Sequence, residues 1–257
     1  MRRYFVLWML GIFLILVGCA NKEAPQTALS SSSTHRESEP ASPTMPSPTK
    51  KLKEEPPMST DASHLLQAVI AKDKHQVQLL LNQSTTSINE QNEKGESPLL
   101  VAVHHNMIEI AKLLIDHGAD INLQDEIKDS PYLYAAAQGK TEILAYMLEK
   151  SEPDQTIVNR FGGNALIPAA EKGHLANVKL LLADGRVQID HQNNFGYTAL
   201  IEAVALRDGS KVYQEIVHEL LAYGANKDLR DNEGKTAEDY AKELGYSQIL
   251  KQLRTTQ

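Results

Sequence analysis

One cysteine, Cys19, and one tryptophan, Trp8, occur in 257 residues. A single thiol has no internal partner for a disulfide and excludes a zinc site built from several thiolates. Aromatics make up 5% of the chain, and beyond the first twenty residues the only phenylalanines are Phe161 and Phe195. Catalytic signatures are missing too, with no Gly-x-Ser-x-Gly elbow and no His-Glu-x-x-His pair. Gly234-Lys235-Thr236 copies the end of a phosphate-binding loop, but Leu229 stands where that loop needs its first glycine. Positive charge is in the minority, with 26 Lys and Arg against 33 Asp and Glu and a formal net charge of −7. Phosphate backbones are gripped by clustered Lys and Arg, so this balance argues against nucleic acid as a partner. The carboxylate pairs Glu37/Glu39, Glu54/Glu55 and Asp125/Glu126 lack a pattern that would bury them. A carboxyl must be desolvated or crowded to become a working acid. No catalytic residue, cofactor or small-molecule substrate is expected.

The front of the chain reads as an export signal. Arg2 and Arg3 precede an apolar stretch over residues 4–17, and Leu16-Val17-Gly18-Cys19 follows. The stretch is shorter than the roughly 20 residues a membrane span wants, and the order of charge, apolar run and small residues is that of a secretory signal. The last four residues resemble a bacterial lipobox, which implies cleavage after residue 18 and acylation of Cys19. An uncleaved membrane helix with a chance cysteine is the alternative. Cleavage removes two basic residues and no acidic one, leaving −9. Ala20 is not the aspartate that retains some lipoproteins at an inner membrane. The resemblance therefore implies the outer membrane, facing the periplasm, if the cell has one, and otherwise the outer face of the plasma membrane. Residues 21–59 hold seven of the 11 prolines and four consecutive serines from Ser30. With few apolar side chains to offset ordering entropy, this segment reads as a tether. It would span roughly 35 Å as a flexible coil and about 120 Å in polyproline form. The expected division is thus 1–18 signal, 19–59 lipidated cysteine and tether, and 60–257 folded domain.

Beyond the tether one short phrase returns five times. Its versions are Gly95-Glu96-Ser97-Pro98-Leu99, Lys128-Asp129-Ser130-Pro131-Tyr132, Gly162-Gly163-Asn164-Ala165-Leu166, Gly196-Tyr197-Thr198-Ala199-Leu200 and Gly234-Lys235-Thr236-Ala237, spaced 33, 34, 34 and 38 residues apart. A period in this range marks a stack of like supersecondary units, each touching only its neighbours. Each unit carries two helical patterns. In the second, Ser97-Pro98 opens a first helix with Leu99, Ala102 and Val103 on its buried face. Ile108, Ile110, Ala111, Leu113, Leu114 and Ile115 form a second helix that Gly118 stops. Small residues (Ala102, Ala135-Ala136, Ala169-Ala170, Ala203) recur where neighbouring first helices must approach closely.

These residues resemble the ankyrin repeat, and Gly118-Ala119-Asp120-Ile121-Asn122 and Gly224-Ala225-Asn226 resemble its exit. The resemblance covers the ordered part of the chain. It implies an all-α ankyrin-type solenoid of about six units, the outer two acting as caps, each a β-turn followed by two antiparallel helices. Three departures stand out: Lys128 replaces glycine in one refrain, residues 150–155 lack the Gly-Ala-Asp stop, and Pro168 lies inside a first helix, where it should cost a hydrogen bond.

The resemblance also implies which surface binds: turn tips and the exposed ends of the first helices. Phe161 and Phe195 fall at one slot of adjacent tips, and with Arg160 and Tyr197 they have the composition of an interface hot spot. The competing expectation is that both rings tuck between turns and glue the stack. At the helix ends stand His104, His105, Glu171 and Lys172. A catalytic zinc wants three protein ligands, so the histidine pair is expected to be solvated or partner-facing, and no metal is expected. His174 occupies a junction position and is expected to be structural. The fifth unit is longer by about five residues, fitting Arg207-Asp208-Gly209-Ser210-Lys211, and such insertions map either to the binding face or to neutral length variation. The function expected is a membrane-anchored interaction module that binds another envelope protein. An envelope hydrolase acting on cell-wall material or peptides, or a passive spacer, are the alternatives.

Overall fold

A computed structural model describes residues 64–255. Cys19, the export signal and the tether lie outside the described residues. Among those described there are twelve helices and no strand: α1 His64–Ile70, α2 Lys74–Leu81, α3 Pro98–His104, α4 Ile108–Asp116, α5 Pro131–Ala137, α6 Thr141–Lys150, α7 Leu166–Glu171, α8 Leu175–Asp184, α9 Ala199–Ala205, α10 Lys211–Ala222, α11 Ala237–Leu244 and α12 Ser247–Thr255. They pair as six hairpins. Odd-numbered helices pack on one another in sequence order as one layer, and even-numbered helices do the same as a second. The expected all-helical solenoid of six units is therefore the observed architecture.

The core is one ribbon running between the layers. Ala102, Ala135, Ala136, Ala169, Ala170, Ala203 and Ala241 are wholly buried in the first-helix layer, where their size allows close approach. Leu114, Met147, Leu181 and Leu220 fill the second layer just as completely. First helices begin on a hydroxyl cap: Ser97, Ser130, Thr198 and Thr236 accept the N–H of the residue three further on. Each cap oxygen is nearly enclosed, so it satisfies a donor that water could not reach.

The departures from the repeat have local causes and local remedies. In unit four Asn164 takes the capping slot, accepting from Leu166 and Ile167 N–H at 3.1 and 3.3 Å. Pro168 aligns with Glu202, whose N–H bonds Thr198 carbonyl at 3.0 Å. Proline has no such donor, so the expected loss is real, and α7 opens one residue late and has six residues. In unit three, α6 ends on Ser151 in an extended conformation rather than on a left-handed glycine. Arg186 of the next unit supplies the missing cap. It donates to the carbonyls of Leu148 at 2.7 Å and Ser151 at 3.1 Å while pairing with Asp184 and Glu152. Asn177, fully enclosed in α8, donates to the carbonyls of Ala135 and Ala136 at 3.0 Å each and accepts from Thr141 hydroxyl at 2.7 Å. It pins unit four to unit three with every bond satisfied.

Candidate interaction surface

Five tips of six residues precede the first helices of units two to six: 91–96, 124–129, 158–163, 192–197 and 230–235. The second residue of each is Asn or Asp, and its side-chain oxygen accepts the N–H groups two and four residues on. Asn159, for example, takes those of Phe161 and Gly163 at 2.9 and 3.0 Å, and Asn193 those of Phe195 and Tyr197. The fifth residue closes the turn back onto the second with φ between +63° and +77°. Carbonyls at this fifth position never go begging. Gln91, Gln124, Gln192 and Arg230 serve the one in their own tip, and where Val158 cannot, His191 reaches Gly162 carbonyl at 2.6 Å.

Adjacent tips are joined by backbone bonds. Glu126 N–H donates to Lys94 carbonyl, Asn194 to Phe161 and Asn232 to Phe195, at 2.9–3.1 Å. The equivalent bond from Arg160 N–H to Ile127 carbonyl is not formed. The cause is Lys128. At Gly95 and Gly196 an added Cβ would stand 2.9 and 2.8 Å from the N of Glu126 and Asn232, the atoms that donate across the junction. Lys128 carries that Cβ at φ +63°, so the third tip cannot come as close.

The tips leave their fourth side chain outside the core. Ile127 is 54% exposed, and Phe161 and Phe195 are each 39% exposed. The rings are therefore neither free nor tucked away. Arg160 lies over Phe161 at 4.9 Å from the ring centroid, and Phe195 meets Tyr197 at 6.3 Å. Tyr197 in turn stands edge-on to Tyr240, whose hydroxyl donates to the buried Asp231 at 2.5 Å. The structure thus roots the aromatic tip of unit five in the core of unit six.

The helix ends divide in character. His105 is exposed, but His104 is not the solvated residue that its position suggested. It is half-buried, stacks on Tyr134 with centroids 4.2 Å apart and meets Glu96 at 3.2 Å through Nδ1. Burial lowers its pKa, outweighing the carboxylates of Glu96, Asp129 and Asp125, and its Nε2 is enclosed with no partner. Glu171 pairs with Arg207 from the insertion, and Tyr213 hydroxyl bonds Glu171 carbonyl at 3.2 Å. Lys172 is half-buried beside them. His174 stands at the start of α8 without a side-chain capping bond, and its ring lies against Gly139, as a structural residue would. The insertion is built in rather than loose: Arg207 reaches back to unit four, and Tyr246 hydroxyl of unit six bonds Arg207 carbonyl.

Three participants escaped the sequence reading. Tyr134 supports His104, and its place on the first helix of the next unit was available from the repeat alignment. Arg207 stands out in the sequence only as part of an insertion. Glu202 is 6% exposed, and burial, then the charge of Glu171, push its pKa up to about 8, against a 2.7 Å bond from Asn193. Nothing in its neighbours' polarity signals this. A carboxyl so enclosed cannot meet a substrate, and among the described residues no group of three or more His, Cys, Asp or Glu side chains converges to hold a metal.

Comparison with known proteins agrees with this geometry. The family described as Ankyrin repeats (3 copies) matches residues 49–125, 65–157, 132–231 and 166–256. A putative ankyrin repeat protein of Escherichia coli K12, YahD, is 39% identical over 166 residues, covering 65% of this chain and 82% of its own. The crystal structure of the ankyrin repeat protein EF0377 is 58% identical with a TM-score of 0.74, covering 76% of this chain and 98% of that one. An ankyrin repeat domain from Acinetobacter baumannii AYE is 44% identical with a TM-score of 0.72, covering 75% of this chain and 96% of its own. Such domains are generally protein–protein interaction modules and generally non-catalytic. With the stacked hairpins, the Asx-closed tips and matches that together span 49–256, this chain belongs to the ankyrin-repeat family.

Proposed function

We propose that this protein captures a partner protein of the bacterial envelope on its tip-and-first-helix face, while a lipid on Cys19 holds it at the membrane. The observation that carries the binding face is the half-exposed pair Phe161 and Phe195 at equivalent slots, with Arg160 over one ring and Tyr197 against the other. Side chains of this kind, held rigidly and half-desolvated, contribute most where a partner completes their burial. His104, His105, Glu171 and Lys172 would line the same face toward the helix ends. The anchor rests on the order of charge, apolar run and Leu16-Val17-Gly18-Cys19. Confinement at a membrane raises local concentration, so modest affinity suffices.

Two experiments separate the halves of this reading. Crosslinked pull-down from membranes, with Cys19 intact, should recover a partner that is lost when Arg160, Phe161, Phe195 and Tyr197 are all replaced by alanine in a chain that still folds. Undiminished capture would place the binding surface elsewhere. Metabolic labelling with an alkyne fatty acid should mark the wild type and fail on Cys19→Ser; equal labelling of both would remove the anchor.

A further inference from the structure

The lengthened fifth unit is built more firmly than a neutral difference in length requires. Its extra residues, Arg207-Asp208-Gly209-Ser210-Lys211, are held from both neighbouring units as well as their own. Arg207 pairs with Glu171 of unit four, and Tyr246 hydroxyl of unit six donates to Arg207 carbonyl. The Tyr246 ring lies so close to Gly209, at φ +67°, that an added Cβ would stand 2.7 Å from it. Gln214 Nε2 donates to Gly209 carbonyl at 2.9 Å. Tyr213, in the first turn of α10, is fixed through its hydroxyl, which donates to Glu171 carbonyl at 3.2 Å. Beside the end of α9, Leu206, Arg207, Asp208 and Tyr213 line an open cavity of about 380 Å³. Its walls are set before any ligand arrives, so little ordering cost falls on binding.

The charges of this lining do not cancel. Arg207 is spent on Glu171, and its Nε is enclosed where no ligand reaches. Lys211, the other cation of the insertion, pairs with Glu215 at 3.7 Å. Asp208 keeps its carboxylate. Ser210 N–H donates to its Oδ1 at 3.0 Å, and the bonds from Ser210 hold its pKa below the usual carboxylate range. What sets Asp208 apart from other exposed carboxylates is the cavity beside it, with Leu206 and Tyr213 as apolar walls.

We propose that this cavity receives a lysine or arginine side chain of the partner protein, its methylene stem against Leu206 and Tyr213 and its cationic head on the Asp208 carboxylate. The inference rests on the face assigned above and names the chemistry of one partner contact. Charge complementarity selects the occupant. An acidic side chain would meet Asp208 and find Arg207 already taken, and an apolar one would desolvate the carboxylate without pairing it. The net charge of −7 draws a basic segment toward the chain, and the cavity decides where it docks.

The test immobilises the full chain and selects from a displayed library of random 12-residue peptides at physiological salt, which screens attraction to bulk charge. Selected peptides should share a Lys or Arg whose replacement by Met weakens binding about tenfold, and Asp208→Asn should weaken the parent peptide as much. Asparagine can still accept Ser210 N–H, so the loop keeps its turn and the thermal midpoint should not move. The two changes together should cost no more than either alone, the signature of a direct pair. Glu149→Gln, which removes one negative charge from the second-helix layer, is the control and should leave binding unchanged. Equal effects of Asp208→Asn and Glu149→Gln, or additive effects of Asp208→Asn and the peptide change, would overturn the cavity. Enrichment of acidic or uncharged peptides, or recovery of none above background, would overturn it too. Basic peptides that ignore Asp208 but are lost when Arg160, Phe161 and Phe195 are replaced by alanine would overturn the cavity and keep the face. Peptides that need Asp208 and ignore those three would keep the cavity and remove the tips from the face.

Discussion

Replacing Lys128 with glycine should stabilise this protein, and the reason is legible atom by atom. Lys128 holds φ at +63° where the equivalent residues are Gly95, Gly162, Gly196 and Gly234 at +76° or +77°. A left-handed conformation costs a residue with a Cβ about 1–2 kcal/mol. Glycine gives back about 0.5–1 kcal/mol of that through its greater freedom in the unfolded chain. Removing the Cβ also lets the third tip approach, so that Arg160 N–H can reach Ile127 carbonyl, a bond worth about 0.5–1.5 kcal/mol net. The exposed lysine side chain contributes little packing to lose. The sum is a gain of about 1–2 kcal/mol, read as a rise in urea midpoint. Lys128→Ala keeps the Cβ and should gain nothing. Hydrogen exchange gives a sharper readout, because the Arg160 amide should become protected in the glycine variant and not in the alanine variant. A neutral or destabilised glycine variant, or equal behaviour of the two, would refute the account of the broken junction.

Other expectations follow from the same contacts. Asn177→Ala removes a fully satisfied buried amide between units three and four and should cost about 2–3 kcal/mol in urea unfolding. Arg186→Ala strips the borrowed cap from α6 and should cost about 1–2 kcal/mol, with amide exchange accelerating in the last turn of α6 before anywhere else. Gly162→Ala would drive a Cβ into the side chain and backbone of Asn194 at φ +76°, and should destabilise by about 2 kcal/mol or more, seen as a lowered thermal midpoint. Glu202 titrates near pH 8 when folded and near 4.5 when unfolded, so its contribution is complete below about pH 4.5 and is lost as pH rises toward 8. Glu202→Gln should flatten stability across that window and leave the variant more stable than wild type by about 2–3 kcal/mol at pH 8.5. An unchanged pH profile would mean that Glu202 is ionised in the fold.

The architecture could be read from the chain because a solenoid writes each structural need once per unit. Gly95, Gly162, Gly196 and Gly234 recur because each tip needs a left-handed residue, and at the first three that residue also lies against the next tip. Ser97, Ser130, Thr198 and Thr236 recur because four helices need a cap. The same regularity turned departures into usable signals. Pro168 marks a missing bond within a helix, and Lys128 marks a junction between tips that does not form. What repetition cannot announce is a remedy supplied from another unit. Arg186 caps α6 from 36 residues beyond the helix's last residue, Asn177 binds carbonyls 41 and 42 residues back, and His191 substitutes for the glutamine that Val158 displaced. Each occurs once, and none leaves a periodic trace.

The binding face is legible to a different degree, because its slots follow from the repeat while its chemistry follows from what crowds each slot. The fourth tip position could be counted along the chain, and Phe161 and Phe195 do stand there, half-exposed. Counting could not say that Tyr134 would roof His104, or that Arg207 would claim Glu171. Those outcomes depend on side chains 30 or more residues apart meeting on adjacent units, and on burial that a local window does not contain. The distinction matters for finding a partner. Slot positions identify which residues a ligand can touch, but the contacts each slot makes with the next unit decide how much of a side chain is left to offer.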